Sequence, residues 1–118
     1  MQKSGKLELT WVGKYEEKEI EPRILVENPE LSYGEQDVGN MLIHGDNLIA
    51  LKALEQDYAG QIKCIYIDPP FNTGSAFEHY DDGLEHSFWL DLMRRRLVIL
   101  YNLLRQHGCI FVNLDDSE

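Results

Sequence analysis

Residues 62–74 read IKCIYIDPPFNTG. The first six are almost continuously apolar, a pattern typical of a strand buried in a parallel sheet. Asp68-Pro69-Pro70 then ends the strand, because each proline fixes φ and removes a backbone N–H donor. The stretch therefore predicts a buried strand, residues 62–67, that runs directly into an acidic, proline-rich loop.

The segments upstream of this strand predict a second strand and a helix. Residues 41–44, MLIH, are expected to form a short strand that ends at Gly45-Asp46. Residues 47–55 place apolar side chains at three- and four-residue intervals, which favours a helix that Asp46 or Asn47 can cap. Gly60 follows, where the chain is expected to reverse.

The segments downstream complete the pattern. Residues 75–84 are expected to form a loop, and residues 87–106 a long helix that Ser87 caps and Gly108 closes. Residues 109–114, CIFVNL, predict a third apolar strand. Strands and helices thus alternate, which predicts an α/β fold with a parallel sheet flanked by helices.

Residues 1–40 differ from the rest of the chain in being charged and turn-rich. They contain one strand-like alternation, residues 6–12, in which leucine and tryptophan side chains share a face. We expect this segment to be an N-terminal arm that wraps around the core, and residues 41–118 to form one domain.

The composition limits the class of protein. With 118 residues, of which 43% are hydrophobic and 27% charged, the chain has the size and make-up of one globular domain. No apolar run approaches the roughly 20 residues of a membrane span, and no secretory signal is present, so we expect a cytoplasmic location and no membrane partner. The net charge of −10 has the wrong sign for gripping DNA unaided.

The predicted strands share an acidic character at their carboxyl ends. Gly45-Asp46, Asp68 and Asp115-Asp116 each follow an apolar run. In parallel sheets, ligands bind beyond the carboxyl ends of the strands, so this edge is the candidate site. No histidine or glutamate stands at ligand spacing from Asp81-Asp82 or Asp115-Asp116, so no metal site is predicted and loop solubility or helix capping explains both pairs better.

The loop after residue 67 has the parts needed to methylate the exocyclic amine of a base. That nitrogen is a poor nucleophile, so a catalyst helps by accepting both N–H hydrogen bonds and directing the lone pair. Asp68 and the Pro69 carbonyl can accept, Phe71 can stack on an extruded base, and Asn72 and Thr73 can contact its nucleotide. The plain alternative is a strand-ending turn, for which Asp-Pro-Pro is also suitable.

Three segments carry a resemblance to a known family: NMLIHGDNLIALKAL at 40–54, IKCIYIDPPFNTGSAFEHYDDGLEHSFWL at 62–90, and GCIFVNLDDSE at 108–118. They resemble the N-terminal part of the modification subunit of type III restriction-modification systems, a beta-group adenine-specific DNA methyltransferase. The resemblance implies a partial Rossmann-like methyltransferase fold, with residues 41–118 as a partial catalytic-motif domain behind the N-terminal arm.

The resemblance also implies roles for particular residues. Asp68, Pro69, Pro70 and Phe71 match the catalytic motif, and aspartate at its first position favours adenine as the target base. Residues that match the binding site for S-adenosylmethionine are Asp46, Asn47 and Asp68, and those expected to contact nucleic acid are Phe71, Asn72 and Thr73.

The resemblance is incomplete in one respect. The family's glycine-rich Phe-x-Gly-x-Gly motif and target-recognition region are not found in this sequence. We therefore expect a fragment of a longer enzyme, with an incomplete cofactor site and no activity alone. Expected partners are double-stranded DNA through the full-length protein, the restriction subunit of the same system, and a second copy of the chain. An inactive remnant that acts only as a folding or partner-binding module is the alternative.

Other side chains have less specific interpretations. Arg94-Arg95-Arg96 lie about 100° apart on a helix, so one could reach phosphate while the others face solvent or pair with acids. Trp89 and Tyr101 are expected in the core rather than in a stacking role. Cys64 and Cys109 are expected to be buried on strands, and a disulfide between them is possible but disfavoured in the cytosol.

Overall fold

The computed structural model describes residues 7–16, 19–35, 38–70 and 82–114, with backbone alone for 82–85. It contains helix α1 (Asn47–Tyr58), strand β1 (Ile62–Ile67), helix α2 (Asp82–Leu103) and strand β2 (Leu104–Val112). β1 and β2 pair in parallel. The predicted α/β fold with a parallel sheet and flanking helices is therefore confirmed.

Helix α1 begins where its sequence predicts but extends three residues beyond the predicted end at residue 55, to Tyr58. The Asp46 carboxylate accepts hydrogen bonds from the backbone N–H groups of Leu48 and Ile49, which makes it the N-cap. After Tyr58 the chain reverses, and Gly60 adopts a φ of 68°, which glycine tolerates without steric cost. Its N–H donates to the Asn102 carbonyl at 2.8 Å, and this bond fixes the turn against the end of α2.

Helix α2 begins earlier than predicted. It starts at Asp82, so residues 82–84 are helical and not loop, and Ser87 lies inside the helix instead of capping it. An acidic residue at the start of a helix is favoured by the positive end of the helix dipole, and Gly83 in the first turn is tolerated. The helix therefore includes the five residues that precede Ser87.

The end of α2 also differs from the prediction. The helix stops at Leu103 and not at residue 106, because Leu104 already pairs with Ile62 of β1. The register then shifts, so that Cys64 lies opposite Cys109. A Cβ atom at Gly108 would stand 3.0 Å from the carbonyl oxygens of Arg105 and Ile62, so glycine is needed in this irregular part of β2 and not at a helix terminus.

The core lies between the sheet and the two helices. Both helices cover the same face of the sheet, and the buried cluster comprises Leu48, Ile65, Ile99, Leu100 and Leu103. Ile20 of the N-terminal region packs against it. Leu103 is 3% exposed, and deleting a buried side chain of this kind generally costs about 2–5 kcal/mol.

No helix or strand among the described residues covers the opposite face of the sheet. Tyr66 is 69% and Phe111 is 56% exposed on it. Cys64 and Cys109 project from the same face, so the expectation that they are buried is wrong, although both lie on strands as predicted. Their thiols are free and adjacent, and the hydrogen bond with Cys109 raises the pKa of the Cys64 thiol.

Two predicted strands are absent from the part of the chain that the structure describes. Residues 7–12 and 41–44 belong to no helix or strand, and Leu42 is 99% exposed. A strand needs a hydrogen-bonded neighbour, and neither segment has one in the described sheet. Tyr101, expected in the core, is 76% exposed because it projects away from the sheet. The division into an arm and a domain at residue 40 remains a prediction.

Candidate active site at the Asp68-Pro69-Pro70 loop

The candidate site lies at one edge of the sheet. β1 ends at Ile67 and β2 at Val112, and since the strands are parallel both ends meet at this edge. The tight turn at 59–61 reverses the chain before β1, so the start of α1 also points toward this edge. The fold thereby gathers Asp46, Asp68 and the residue after β2 on one side of the molecule.

Asp68 is held by the residue that follows β2. The side-chain amide of Asn113 donates from Nδ2 to Asp68 Oδ1 at 3.1 Å. The backbone N–H of Asn113 donates to the Ile67 carbonyl at 3.0 Å, which continues the strand pairing one step beyond the sheet. Both side chains are exposed, so the carboxylate faces solvent with one oxygen oriented by an amide donor. Asn113 was not among the residues that the sequence pattern indicated for the site.

The other described end of the motif is held from helix α2. The indole Nε1 of Trp89 donates to the Pro70 carbonyl at 2.8 Å. Trp89 is 8% exposed, so its predicted place in the core is confirmed. The polar contact was not predicted, although a buried indole N–H normally requires a partner, and this requirement is the signal that could have revealed it.

The start of α1 is held by Arg96. The guanidinium Nε donates to Asn47 Oδ1 at 2.7 Å, and a second guanidinium nitrogen donates to the Leu92 carbonyl at 2.9 Å. Burial lowers the pKa of Arg96, while the charge of nearby Asp46 acts in the opposite direction. Of the three consecutive arginines, Arg96 is thus bound within the protein and Arg94 is exposed.

The predicted cofactor-binding residues have structural contacts of their own. Asp46 Oδ1 accepts from Leu48 N at 2.8 Å and from Ile49 N at 3.3 Å, and Asn47 accepts from Arg96. Phe71, Asn72 and Thr73, predicted to contact nucleic acid, lie outside the described residues, as do Asp115 and Asp116. The structure therefore brings together Asp68, Pro69 and Pro70 with Asn113 and Trp89.

The parallel α/β sheet with an Asp-Pro-Pro loop at its carboxyl edge is consistent with a partial methyltransferase fold. Residues 62–118 match the sequence model of the family described as DNA methylase. Over this range the chain is similar to the DNA methylase family.

Three similar proteins are restriction-modification subunits or methyltransferases of bacteria. The "Probable type III restriction-modification enzyme HindVI Mod subunit" of Haemophilus influenzae is 49% identical over 79 residues, which cover 67% of this chain and 11% of the relative. The type III restriction-modification enzyme EcoP15I Mod subunit of Escherichia coli is 31% identical over 146 aligned positions, 93% of this chain and 23% of the relative. The type II methyltransferase M.EcaI of Enterobacter cloacae is 40% identical over 81 residues, 64% of this chain and 18% of the relative.

The similarity to type III modification subunits that the sequence suggested is therefore confirmed. The chain spans between 11% and 23% of the length of these three curated relatives. Among the helices that the structure describes, none is long and apolar enough to cross a membrane.

Proposed function

We propose that this chain forms the catalytic-motif part of an adenine-specific DNA methyltransferase that uses S-adenosylmethionine. One observation carries the proposal. In a chain similar to the DNA methylase family, the Asp68-Pro69-Pro70 segment stands at the carboxyl edge of the sheet with hydrogen bonds at both ends, to Asn113 and to Trp89.

The segment's chemistry suits an exocyclic amine. Because Asn113 orients Asp68 through Oδ1, the carboxylate can direct its other oxygen to one amine N–H. The Pro69 carbonyl would accept the second N–H, which turns the nitrogen toward tetrahedral geometry and points its lone pair outward. An extruded adenine would stack on Phe71, with Asn72 and Thr73 contacting the nucleotide; these three roles come from the sequence alone.

The donor set at this edge fits a methyl donor that carries positive charge. Asp46 and Asp68 are both exposed carboxylates, and Asn47 lies beside Asp46 at the start of α1. When bound, S-adenosylmethionine supplies an electrophilic methyl group. Within this chain, Asp46, Asn47 and Asp68 would hold it, and Arg96 would keep Asn47 in place through the 2.7 Å hydrogen bond.

The proposed partners follow from charge and exposed surface. A chain with a net charge of −10 would engage double-stranded DNA as part of a longer polypeptide that provides the cationic contacts. The restriction subunit of the same system is the proposed protein partner. A homodimer is supported by the sheet face that carries the exposed side chains of Tyr66 and Phe111, and light scattering that finds a monomer throughout the micromolar range would contradict it.

Complementation tests the function. The chain is mixed with the part of the Haemophilus influenzae Mod subunit that follows the matched region, and transfer of radiolabelled methyl groups to adenine in DNA is measured. We expect methylation from the mixture and none from either part alone. If the two parts associate without methylation, the chain would instead fit a partner-binding module.

Calorimetric titration tests the donor site separately. Asp46→Ser keeps a side chain that can cap α1 but removes the carboxylate, so the helix should remain while donor affinity falls. We expect S-adenosylhomocysteine, titrated into the complemented pair, to bind about three- to tenfold more weakly to Asp46→Ser, as the loss of one hydrogen bond implies. Equal affinity would remove Asp46 from the donor site.

A further inference from the structure

We propose that Trp89 is a positioning residue for methyl transfer, which fixes the Pro70 carbonyl and so holds the catalytic motif in place. The inference rests on the proposed function and extends it to a residue outside the motif. Trp89 would act through the loop and would touch neither base nor methyl donor.

Trp89 makes a direct hydrogen bond to the catalytic motif. The indole has one hydrogen-bond donor, Nε1, which donates to the Pro70 carbonyl at 2.8 Å. This distance is within the normal range for a hydrogen bond. The two residues are 19 positions apart, so the bond joins helix α2 directly to the loop that follows β1. Trp89 belongs to helix α2, and its side chain is buried, with 8% of its surface exposed. It therefore provides a fixed point from which to hold the loop.

The two prolines of the motif limit how the backbone of the loop can be held. Pro69 and Pro70 have no backbone N–H, so this dipeptide can be held by backbone hydrogen bonds only through its carbonyls. Trp89 donates a hydrogen bond to the Pro70 carbonyl at one end of the motif, and Asn113 donates to Asp68 at the other end. The Pro69 carbonyl, the proposed acceptor for the target amine, lies between these two fixed points. Small displacements of such a group lower the rate steeply.

The hydrogen bonding of the Trp89 indole differs from that of the chain's other tryptophan. The chain has two tryptophans, Trp11 and Trp89. The Trp11 indole nitrogen is buried without a hydrogen-bond partner in the part of the chain that the structure describes, whereas that of Trp89 is paired. Trp11 therefore provides a matched control, since its removal takes away an indole N–H that holds no carbonyl.

The experiment isolates the N–H group from the aromatic ring. In a Trp11→Phe background Trp89 is the one tryptophan left, so growth with 3-benzothienylalanine replaces it by an analogue of the same shape that lacks the N–H. Growth with 5-fluorotryptophan keeps the N–H and serves as the rescue. Trp89→Phe is the genetic counterpart. Methylation is measured on the complemented pair, per folded molecule as determined by circular dichroism.

We expect the benzothienyl protein and Trp89→Phe to lose about three- to tenfold in kcat, the equivalent of one hydrogen bond, with KM for the methyl donor unchanged within about twofold. The 5-fluorotryptophan protein and Trp11→Phe should match the parent. In ¹H–¹⁵N spectra of the chain, the Trp89 indole proton should be shifted downfield and exchange slowly.

Each other result overturns the inference in a distinguishable way. A benzothienyl protein as active as the parent would show that the N–H does not position the motif. A fast-exchanging Trp89 indole proton would show that the hydrogen bond is absent. If the unmodified complemented pair transfers no methyl groups, the proposed function fails, and the role of Trp89 in transfer fails with it.

Discussion

Asp68→Ala should lower methyl transfer by the complemented enzyme by about 100- to 1000-fold, the range found when one preorganised electrostatic group is removed from an active site. The carboxylate is the proposed acceptor for one amine N–H, and alanine leaves the amine's lone pair undirected. Asp68 is exposed, and its partner Asn113 is exposed too, so the substitution leaves no buried polar group unpaired. The loss should therefore appear in kcat without a large loss of stability.

Asp57→Ala is the control for Asp68→Ala, and Asp68→Asn is a second variant at the same position. Asp57→Ala removes an exposed carboxylate in the last turn of α1, far along the helix from the candidate site, and should leave methylation unchanged. Asp68→Asn keeps the shape but presents an amide in place of a carboxylate, and we expect a loss close to that of alanine. An Asp68→Ala enzyme that retains more than about a tenth of the parental kcat would remove Asp68 from the catalytic role.

Periodicity and residue chemistry were sufficient to predict the elements that bury apolar surface. The apolar run at 62–67 became β1, and the spacing of Leu48 and its neighbours became α1, with Asp46 as its cap. These features are local, because a cap or a buried strand is specified by residues adjacent in sequence. Of the predicted acidic strand ends, the described residues contain one, Asp68 after β1: Asp46 caps a helix and follows no strand, and Asp115 and Asp116 lie outside the described residues.

The predictions that failed depended on contacts between segments. Residues 41–44 have strand-like side chains, but no described strand pairs with them, and Leu42 is exposed. Leu104 looked helical by spacing, yet its pairing with Ile62 made it the first residue of β2. Cys64 and Cys109 were expected inside because their runs are apolar, but those runs lie in a sheet whose second face no described helix or strand covers.

The hydrogen bonds that Trp89 and Asn113 make in the candidate site also depend on contacts between distant segments of the chain. Trp89 could be placed in the core from its helical spacing, but its partner 19 residues away could not be read from that spacing. Asn113 stood in a predicted strand as one polar residue among apolar ones. Only the register of β1 with β2 places it beside Asp68.

Asn113→Asp should make methylation strongly dependent on pH. The change replaces the amide that donates to Asp68 Oδ1 at 3.1 Å by a second carboxylate of nearly the same shape. Two carboxylates at this distance resist being ionised together, so as the pH falls the pair takes up a proton at a higher pH than a single carboxyl would. Protonation removes acceptor capacity from Asp68, and activity should be lost on the acidic side.

The expected magnitude follows from losing a hydrogen bond to a charged group, worth about 1.5–3 kcal/mol, which corresponds to a kcat about 10- to 100-fold lower at the acidic end of the pH profile. At pH 9 both carboxylates are ionised and part of the activity should return. The measurement is the pH profile of kcat for the complemented pair, in which the acidic limb should move to higher pH.

Asn113→Leu separates the two effects of Asn113→Asp, which are the loss of the hydrogen-bond donor and the added negative charge. Leucine has a similar size but neither donates a hydrogen bond nor carries charge, so kcat should fall while the acidic limb stays where it is in the parent. If Asn113→Asp also leaves the limb in place, the two side chains are not in contact in the working enzyme. A shift in the aspartate variant alone would show that residue 113 lies close to Asp68 during the reaction, because the added charge affects the Asp68 carboxylate strongly only at short range.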